Sequence, residues 1–412
     1  MNDIDDSQDK DGRLNDVAPA YWPFYNENVV WPATFFIVTE MLHEQYGDDE
    51  PIHAHYPAMK RWVAHMRTLM KGDLLPVDTY GDWCVPPLTL DMLQDNDPAA
   101  ATSPEILGTT YFYYLLRLMS HFAAINEQVQ DQQEYDALAE KIKMAFNAKY
   151  FNAQKNLYDN GSQTSSVIAL AFDIAPQDRR EALVANLIDS IEHHMRGHVG
   201  VGIVGQQWLM QTLTNNGHID VAYQLAKQTT YPSWGYMLSQ NATTIWELWN
   251  GNVAGPSMNS GNHLMLLGDL STWMYEDLAG IRTDVKQPGF KHILVQPQIV
   301  GDLEFVRASH DSPYGRIATD WNRAGDHLTL RVTIPPNTTA TVYVPGNSRD
   351  VVREGGTVPE TVQGVHFVES VPGATVYEVG SGQYVFTSTV EVPRSTLNAA
   401  LAESAAAKSG AE

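Results

Sequence analysis

The stretch "LAGIRTDVKQPG", residues 278–289, separates two textures of chain and decides the fold. Before it, apolar residues recur at helical spacing. "TFFIVTEMLHEQYGD" (34–48) collects them on one face and reaches Gly47, a residue suited to the left-handed backbone that closes a helix. "YPAMKRWVAHMRTLMKG" (56–72) repeats the pattern through Met59, Val63, Met66 and Met70. Further amphipathic runs lie near 104–129, 133–149, 163–173, 178–195, 203–216 and 218–229. The last spans 260–280, where Leu266, Leu270, Trp273 and Met274 share a face. This predicts about nine helices with almost no strands, a helical toroid or bundle. After the divide, "HILVQPQI", "TATVYVPG" and "QYVFTSTVEV" alternate apolar and polar residues, with turn residues between such runs, as in an antiparallel β-sandwich. The expected organisation is therefore mainly α with a β domain: residues 1–283 helical, 284–393 β-sandwich, and 394–412 a small, alanine-rich flexible tail.

Composition narrows the function. The chain has 412 residues, 26 basic and 49 acidic, for a net charge of −23. Such a balance argues against nucleic acid and other polyanions and suits neutral or weakly charged ligands. No stretch approaches the ~20 apolar residues of a membrane span. One cysteine, Cys84, excludes an internal disulfide framework and fits a reducing compartment. "MNDIDDSQDKDG" has no apolar signal-peptide core, so a cytoplasmic location is expected.

"ATTIWELWNG" (242–251) sets one carboxylate, Glu247, between Trp246 and Trp249. A carboxylate among rings loses hydration, which suits proton transfer. A Glu that caps a helix or pairs with an Arg would also fit. Six of the ten tryptophans (Trp22, Trp31, Trp83, Trp234, Trp246, Trp249) sit beside Gly, Pro, Asn or Thr, outside helical periodicity. Flat rings on loops offer faces to the C–H side of a sugar; they would equally plug the ends of a helical domain. In "TYGDWCVPP" (79–87), Asp82 is either a turn-former or part of a site. Cys84 lacks a His/Asn apparatus and reads as a small buried apolar group. "SMNSGNHLMLLGDL" (257–270) places His263 at the first turn of a helix, with Asn259 and Ser260 as cap candidates. It is a sugar-binding imidazole or a structural one. No second His or Cys has metal-ligand spacing to it, and neither a phosphate loop nor a calcium loop is visible. No cofactor or metal is expected.

In order along the chain, "SQDKDGRLNDVAPAYWP", "VVWPATFFIVTEMLHEQYGD", "YGDWCVPP", "GHVGVGIVGQQWLMQTLTNNG", "YPSWGYMLSQNATTIWELWNG", "SMNSGNHLMLLGDLSTWMYEDLAGI" and "SPYGRIATDW" resemble the α-L-rhamnosidases of glycoside hydrolase family 78. The resemblance runs from about residue 7 to about residue 345. It implies an (α/α)6 toroid, incomplete at its N-terminus, followed by the β-sandwich, and inverting hydrolysis of terminal α-L-rhamnosides. Glu247 would be the water-activating general base. Asp82 and Trp83 would be walls of the sugar pocket, His263 its histidine, Asp16 and Trp31 further sugar contacts, and Trp249 a further substrate-binding residue.

One departure stands out. The family's general acid lies upstream of the segment matched by "SQDKDGRLNDVAP", in an Arg-Asp-Glu…Gly-Trp…Asp stretch with no counterpart in these 412 residues. A rhamnose-containing glycoside or oligosaccharide is the expected partner, but hydrolysis by this chain alone should be weak. Apolar surface left uncovered would favour self-association into homo-oligomers. The alternatives are another inverting (α/α)6 glycosidase of different sugar specificity, or a non-catalytic carbohydrate-binding protein.

Overall fold

A computed structural model of the chain describes residues 1–87, 102–253, 260–346 and 348–391. The expected tail at 394–412 and the cap candidate Asn259 lie outside the described residues. Contacts divide the chain into two compact units. The first holds Met1–His43, Asp48–Asn216 and Leu225–Asp269; the second holds Glu44–Gly47, Gly217–Gln224 and the chain from Leu270 onward.

Twelve α-helices are present among the described residues. They are α1 (Asn2–Asp6), α2 (Ala33–Tyr46), α3 (Glu50–Thr68), α4 (Pro104–Ile125), α5 (Val129–Tyr150) and α6 (Gln163–Ala171). The series continues with α7 (Arg180–Asp189), α8 (Ile203–Gln206), α9 (Leu209–Asn215), α10 (Ile219–Lys227), α11 (Trp234–Ser239) and α12 (Leu270–Trp273). In α3 the buried residues Ile52, Tyr56, Met59, Trp62, Val63 and Met66 recur every three or four positions, which makes one stripe of the helix apolar. Ser103 caps α4 by accepting from the Ile106 amide at 3.3 Å, and Pro104 fills the first turn, where no amide partner is needed. α4 is buried along most of its length and forms a hairpin with α5 across a three-residue link. Gly108 allows this burial, because a Cβ there would stand 1.9 Å from the Val77 carbonyl oxygen.

More α-helices occur than the pattern predicts: α1 and α11 fall outside the expected runs and one expected helix is split, while another is broken without adding to the number. The 203–216 run divides into α8 and α9 at Gln207–Trp208. The 260–280 run is not one helix: a 3-10 turn at Met265–Leu267 leads to four residues of α12 and a π-turn at Met274–Leu278. Leu264 and Gly268 both have positive φ, at 63° and 56°. At Gly268 a Cβ would meet the Gln206 carbonyl oxygen at 2.2 Å, so close packing against α8 stops the helix there.

The second unit carries two five-stranded sheets. Their strands are β3 (Ile281–Thr283), β4 (His292–Val295), β5 (Phe305–Ser312), β6 (Gly315–Ala324), β7 (His327–Ile334), β8 (Thr339–Pro345), β9 (Arg353–Glu354), β10 (Val365–Val371), β11 (Ala374–Val379) and β12 (Gly382–Thr389). A short hairpin, β1 (Phe151–Asn152) with β2 (Leu157–Tyr158), belongs to the helical unit. One sheet has the order β10-β11-β8-β4-β3, the other β5-β6-β7-β12-β9. The β4–β8 pair is parallel, an exception to the antiparallel expectation. Alternation sets the core: Leu328, Leu330, Val332 and Ile334 of β7 turn inward with Tyr384 and Phe386 of β12 to meet Ile293, Val295 and Val342 of the other sheet. Trp321, fully buried, donates from Nε1 to the Leu278 carbonyl at 2.7 Å, and the Thr319 hydroxyl donates to that of Ala279 at 2.9 Å. The divide seen in the sequence is thus tied to the sheet that follows it. No helix among the described residues is long and apolar enough to cross a membrane.

Trp321→Ala removes both the ring and this hydrogen bond. It is expected to destabilise the β unit by about 3–5 kcal/mol, read as a lower midpoint in urea unfolding.

Candidate active site

The loop at residues 78–84 organises the helical unit through its carboxylates. Asp78 Oδ1 accepts from the Val29 and Val30 amides at 3.2 and 3.3 Å, and Oδ2 from the Gly81 amide at 3.0 Å. Burial raises the Asp78 pKa, against the opposing pull of these amides. Asp82 is fully buried. Its Oδ1 accepts from the Val204 and Gly205 amides at 2.9 and 3.3 Å, and its Oδ2 from the Gly202 amide at 2.9 Å and the Thr164 hydroxyl. The remaining amide of that turn, Ile203, donates to the Trp83 carbonyl at 2.8 Å. Asp82 and Trp83 together satisfy the free amides at the start of α8. Gly202 makes the approach possible, since a Cβ there would lie 2.2 Å from the Trp83 carbonyl oxygen. Burial raises the Asp82 pKa, with the four donors acting in the opposite sense.

Pinning the 29–30 backbone to Asp78 sets Trp31 beside Tyr80, with ring centroids 4.2 Å apart and planes 21° apart. The Tyr80 hydroxyl donates to Asp16 Oδ2 at 2.7 Å, and the Asn26 amide reaches the same oxygen at 2.7 Å. Burial, then the adjacent Asp16 carboxylate, pushes the Tyr80 pKa up to about 12. Asp16, Trp31, Tyr80 and Asn26 therefore form one cluster, with Trp31 39% exposed.

Farther along, residues 244–247 and 260–263 run side by side. The Glu247 amide donates to the Ser260 carbonyl at 2.9 Å, the Ser260 amide donates to Glu247 Oε2 at 2.7 Å, and the His263 amide donates to the Ile245 carbonyl at 3.0 Å. The Thr244 hydroxyl donates to the Gly261 carbonyl. Glu247 is thus gripped by one oxygen, while Oε1 has no hydrogen-bond partner among the described residues. His263 Nδ1 is buried and likewise without a partner among them. The two groups stand on adjoining segments, each with a free polar atom.

The sequence-predicted residues separate into two sets. Glu247, His263, Asp16, Trp31 and Trp83 retain accessible surface. Asp82, expected as a pocket wall, and Trp249, expected to bind substrate, are 0% and 1% exposed. Asp82 is held by its four donors; Trp249 donates to the Val201 carbonyl at 3.3 Å and packs edge-on against Trp234. Both build the floor of the loop cluster and present no surface to a ligand. His263 lies in irregular chain two residues before a short 3-10 turn and is not at the start of an α-helix, and Ser260 grips Glu247 where a helix cap was expected. Cys84 is buried as predicted. Its thiol pKa is raised by burial first, then by the carboxylates of Glu247 and Asp82, which places the 82–84 backbone within electrostatic reach of Glu247. Sequence reading missed Asp78, Tyr80, Asn26 and Thr164. For Asp78, the Asp three residues before Gly81 in "VDTYG" was an available turn signal. No group of three His, Cys, Asp or Glu among the described residues is placed to hold a metal ion.

A helical domain whose irregular loops hold a half-free carboxylate beside an imidazole, and on other loops a stacked pair of aromatic rings next to a carboxylate, has the equipment of a carbohydrate-processing protein. Residues 1–278 match the bacterial alpha-L-rhamnosidase 6 hairpin glycosidase domain, and residues 280–358 the bacterial alpha-L-rhamnosidase C-terminal domain. The chain belongs to the bacterial α-L-rhamnosidase family. It is 32% identical over 392 residues to an alpha-L-rhamnosidase of Streptomyces avermitilis, covering 93% of this chain and 35% of the relative. It is 30% identical to one of Formosa agariphila, covering 86% and 38%. The solved S. avermitilis enzyme complexed with L-rhamnose aligns with a TM-score of 0.83 at 31% identity, over 93% of this chain and 35% of that one. The α-L-rhamnosidase from Dictyoglumus thermophilum aligns with 0.86 at 31% identity, over 95% and 43%. The chain thus spans little more than a third of the length of the curated relatives it matches.

Asp82→Ala leaves three buried amides and a hydroxyl without their acceptor. It is expected to lower stability by at least about 3 kcal/mol in thermal unfolding, with Asp82→Asn less harmful. Cys84 should react with iodoacetamide at least tenfold more slowly in the native protein than in urea, since its thiol is both buried and held protonated.

Proposed function

We propose that the protein containing this chain removes terminal α-L-rhamnose from glycosides by inversion, with Glu247 as the general base. The observation that carries the reading is the half-gripped carboxylate. The Ser260 amide fixes Glu247 Oε2 and so aims the free Oε1, while His263 stands on the adjoining segment with an unpaired ring nitrogen. In the proposed step a water lies against Oε1. Glu247 takes its proton as the water oxygen bonds to the anomeric carbon, from the face opposite the glycosidic oxygen. The bond to that oxygen breaks, an acid on the far side protonates it, and the sugar leaves with its anomeric configuration inverted. His263 would donate to a ring hydroxyl, and Trp31 and Trp83 would offer faces to the sugar's C–H side. Asp16, with Tyr80 and Asn26 engaging Oδ2, would accept from a hydroxyl with Oδ1, which meets the Asn28 amide only at 3.5 Å.

The acid on the far side is the open role. Asp82 does not fill it, being fully buried with both oxygens engaged. We place the acid outside these 412 residues, in keeping with a chain that spans little more than a third of the relatives' length. The kinship to an enzyme solved with L-rhamnose supports rhamnose as the sugar.

The 412-residue chain should hydrolyse an unactivated α-L-rhamnoside about 10²–10⁴-fold more slowly than the full-length protein. A nitrophenyl rhamnoside, whose leaving group needs little protonation, should be affected least. Glu247→Gln should abolish turnover in both forms while leaving L-rhamnose binding within about twofold. Full turnover of the unactivated substrate by the chain would remove the missing acid from the proposal, and an unchanged rate in the variant would remove Glu247. A panel of aryl glycosides reports whether another sugar is preferred.

A further inference from the structure

The β unit contains a concavity of about 200 Å³ that the proposed hydrolysis does not use. Its walls come from the chain after β4, the end of β8, the β10–β11 turn and the residues following β12. Strand alternation orients one wall: Val342 and Val344 of β8 are buried in the sandwich core, so Tyr343 between them faces the other way, into the concavity. Gln296 follows core residue Val295 and faces away from the core on the same argument; Gln298 lies two residues further on the same wall. Gln296, Gln298, Tyr343 and Glu391 line the space, and none of their side-chain polar atoms bonds to another described residue. Two amides, a phenol and a carboxylate around one concavity supply the donors and acceptors of a hydrogen-bonding site.

The lining limits the class of ligand. Pro297, Pro345 and Pro372 have no N–H to donate, and the Gly346 amide already donates to the Gly373 carbonyl at 2.9 Å. These four positions therefore offer no amide to an added strand, which disfavours extended peptides that dock by backbone pairing. Among the described residues, the only charged one in the lining is the acidic Glu391, within a chain of net charge −23, which disfavours phosphates and uronates. At ~30 Å³ per liquid water the space holds roughly six or seven waters, the bulk of one sugar ring. Carboxamides pair with hydroxyls as donor and acceptor, a carboxylate accepts from vicinal hydroxyls, and the tyrosine and proline rings suit C–H faces.

We propose that this concavity is a second, non-catalytic site that binds one neutral sugar ring. It acts by holding a polyhydroxylated chain to the protein, and it stands or falls independently of the role of Glu247.

The test titrates the 412-residue chain with L-rhamnose, D-glucose and D-galactose, with D-glucuronate as the charged control, by calorimetry and saturation-transfer NMR. Trp31→Ala is the background that weakens the helical site. At least one neutral sugar should bind in that background with a dissociation constant of a few mM, about what a single exposed ring achieves. Tyr343→Ala and Gln298→Ala should each weaken it at least fivefold, and glucuronate should bind at least fivefold more weakly. Gln298 is half-exposed, so its truncation leaves folding intact, as an unchanged thermal midpoint would verify. The proposal is overturned if none of the three sugars binds in the Trp31→Ala background, if binding survives both truncations, or if glucuronate binds equally well.

Discussion

The buried carboxylate of Asp82 is the constraint on which the helical unit's loops depend. An ionised carboxylate out of contact with water is costly, and here four donors compensate it: three amides of one helical turn and the Thr164 hydroxyl of α6. Two further features follow from that single group. The turn at α8 gains a partner for amides that would otherwise be unsatisfied, and the 82–84 backbone is fixed in position. Gly202 is the steric condition for this contact, since any side chain there would collide with the Trp83 carbonyl. With 82–84 fixed, the rest of the loop follows: Asp78 binds the 29–30 backbone, Tyr80 reaches Asp16, and Cys84 comes within the field of Glu247. A candidate sugar site thus rests on a carboxylate that is itself fully buried.

Glu247 illustrates a different use of the same chemistry. Asp82 has every acceptor position in use, and Glu247 has one oxygen held and one free. A fully satisfied carboxylate is a brace, and a half-satisfied one keeps a defined direction together with an open lone pair. Position therefore divides the two acidic residues into one fully held and one half held, a difference that their shared acidic character does not reveal. Trp249 and Trp83 divide in the same way. Trp249 is sealed against Trp234, and Trp83 keeps surface.

Much of this architecture was legible in the sequence, and the failures have physical causes. Periodicity found α2 through α7 and the β unit, because burial on one face repeats along the chain. It failed where one contact breaks the period: the close approach of Gly268 to Gln206 ends a helix that the apolar pattern would continue. Glu247 could be singled out from its tryptophan neighbours, but the grip of Ser260 comes from residues thirteen apart and has no local signature. Asp82 was visible as a candidate, yet its role depends on Thr164 and on Gly202–Gly205, 82 and 120–123 residues away. Tyr80 and Asn26 were missed because a tyrosine or asparagine in an irregular loop has no periodic partner to betray it.

The candidate residues concentrate where the backbone is least regular, and regular structure explains why. A helix fixes its side chains on a cylinder and spends its amides internally, so few polar groups are left to converge on one point. Loops leave amides free, and buried carboxylates then use those amides to make the loops rigid. In this chain Asp78 and Asp82 do so on one loop, and Glu247 does so for its neighbour while keeping an oxygen in reserve. The helices supply the fixed ends, the acidic residues lock what runs between them, and the carboxylate proposed as the base is the one whose locking is left incomplete.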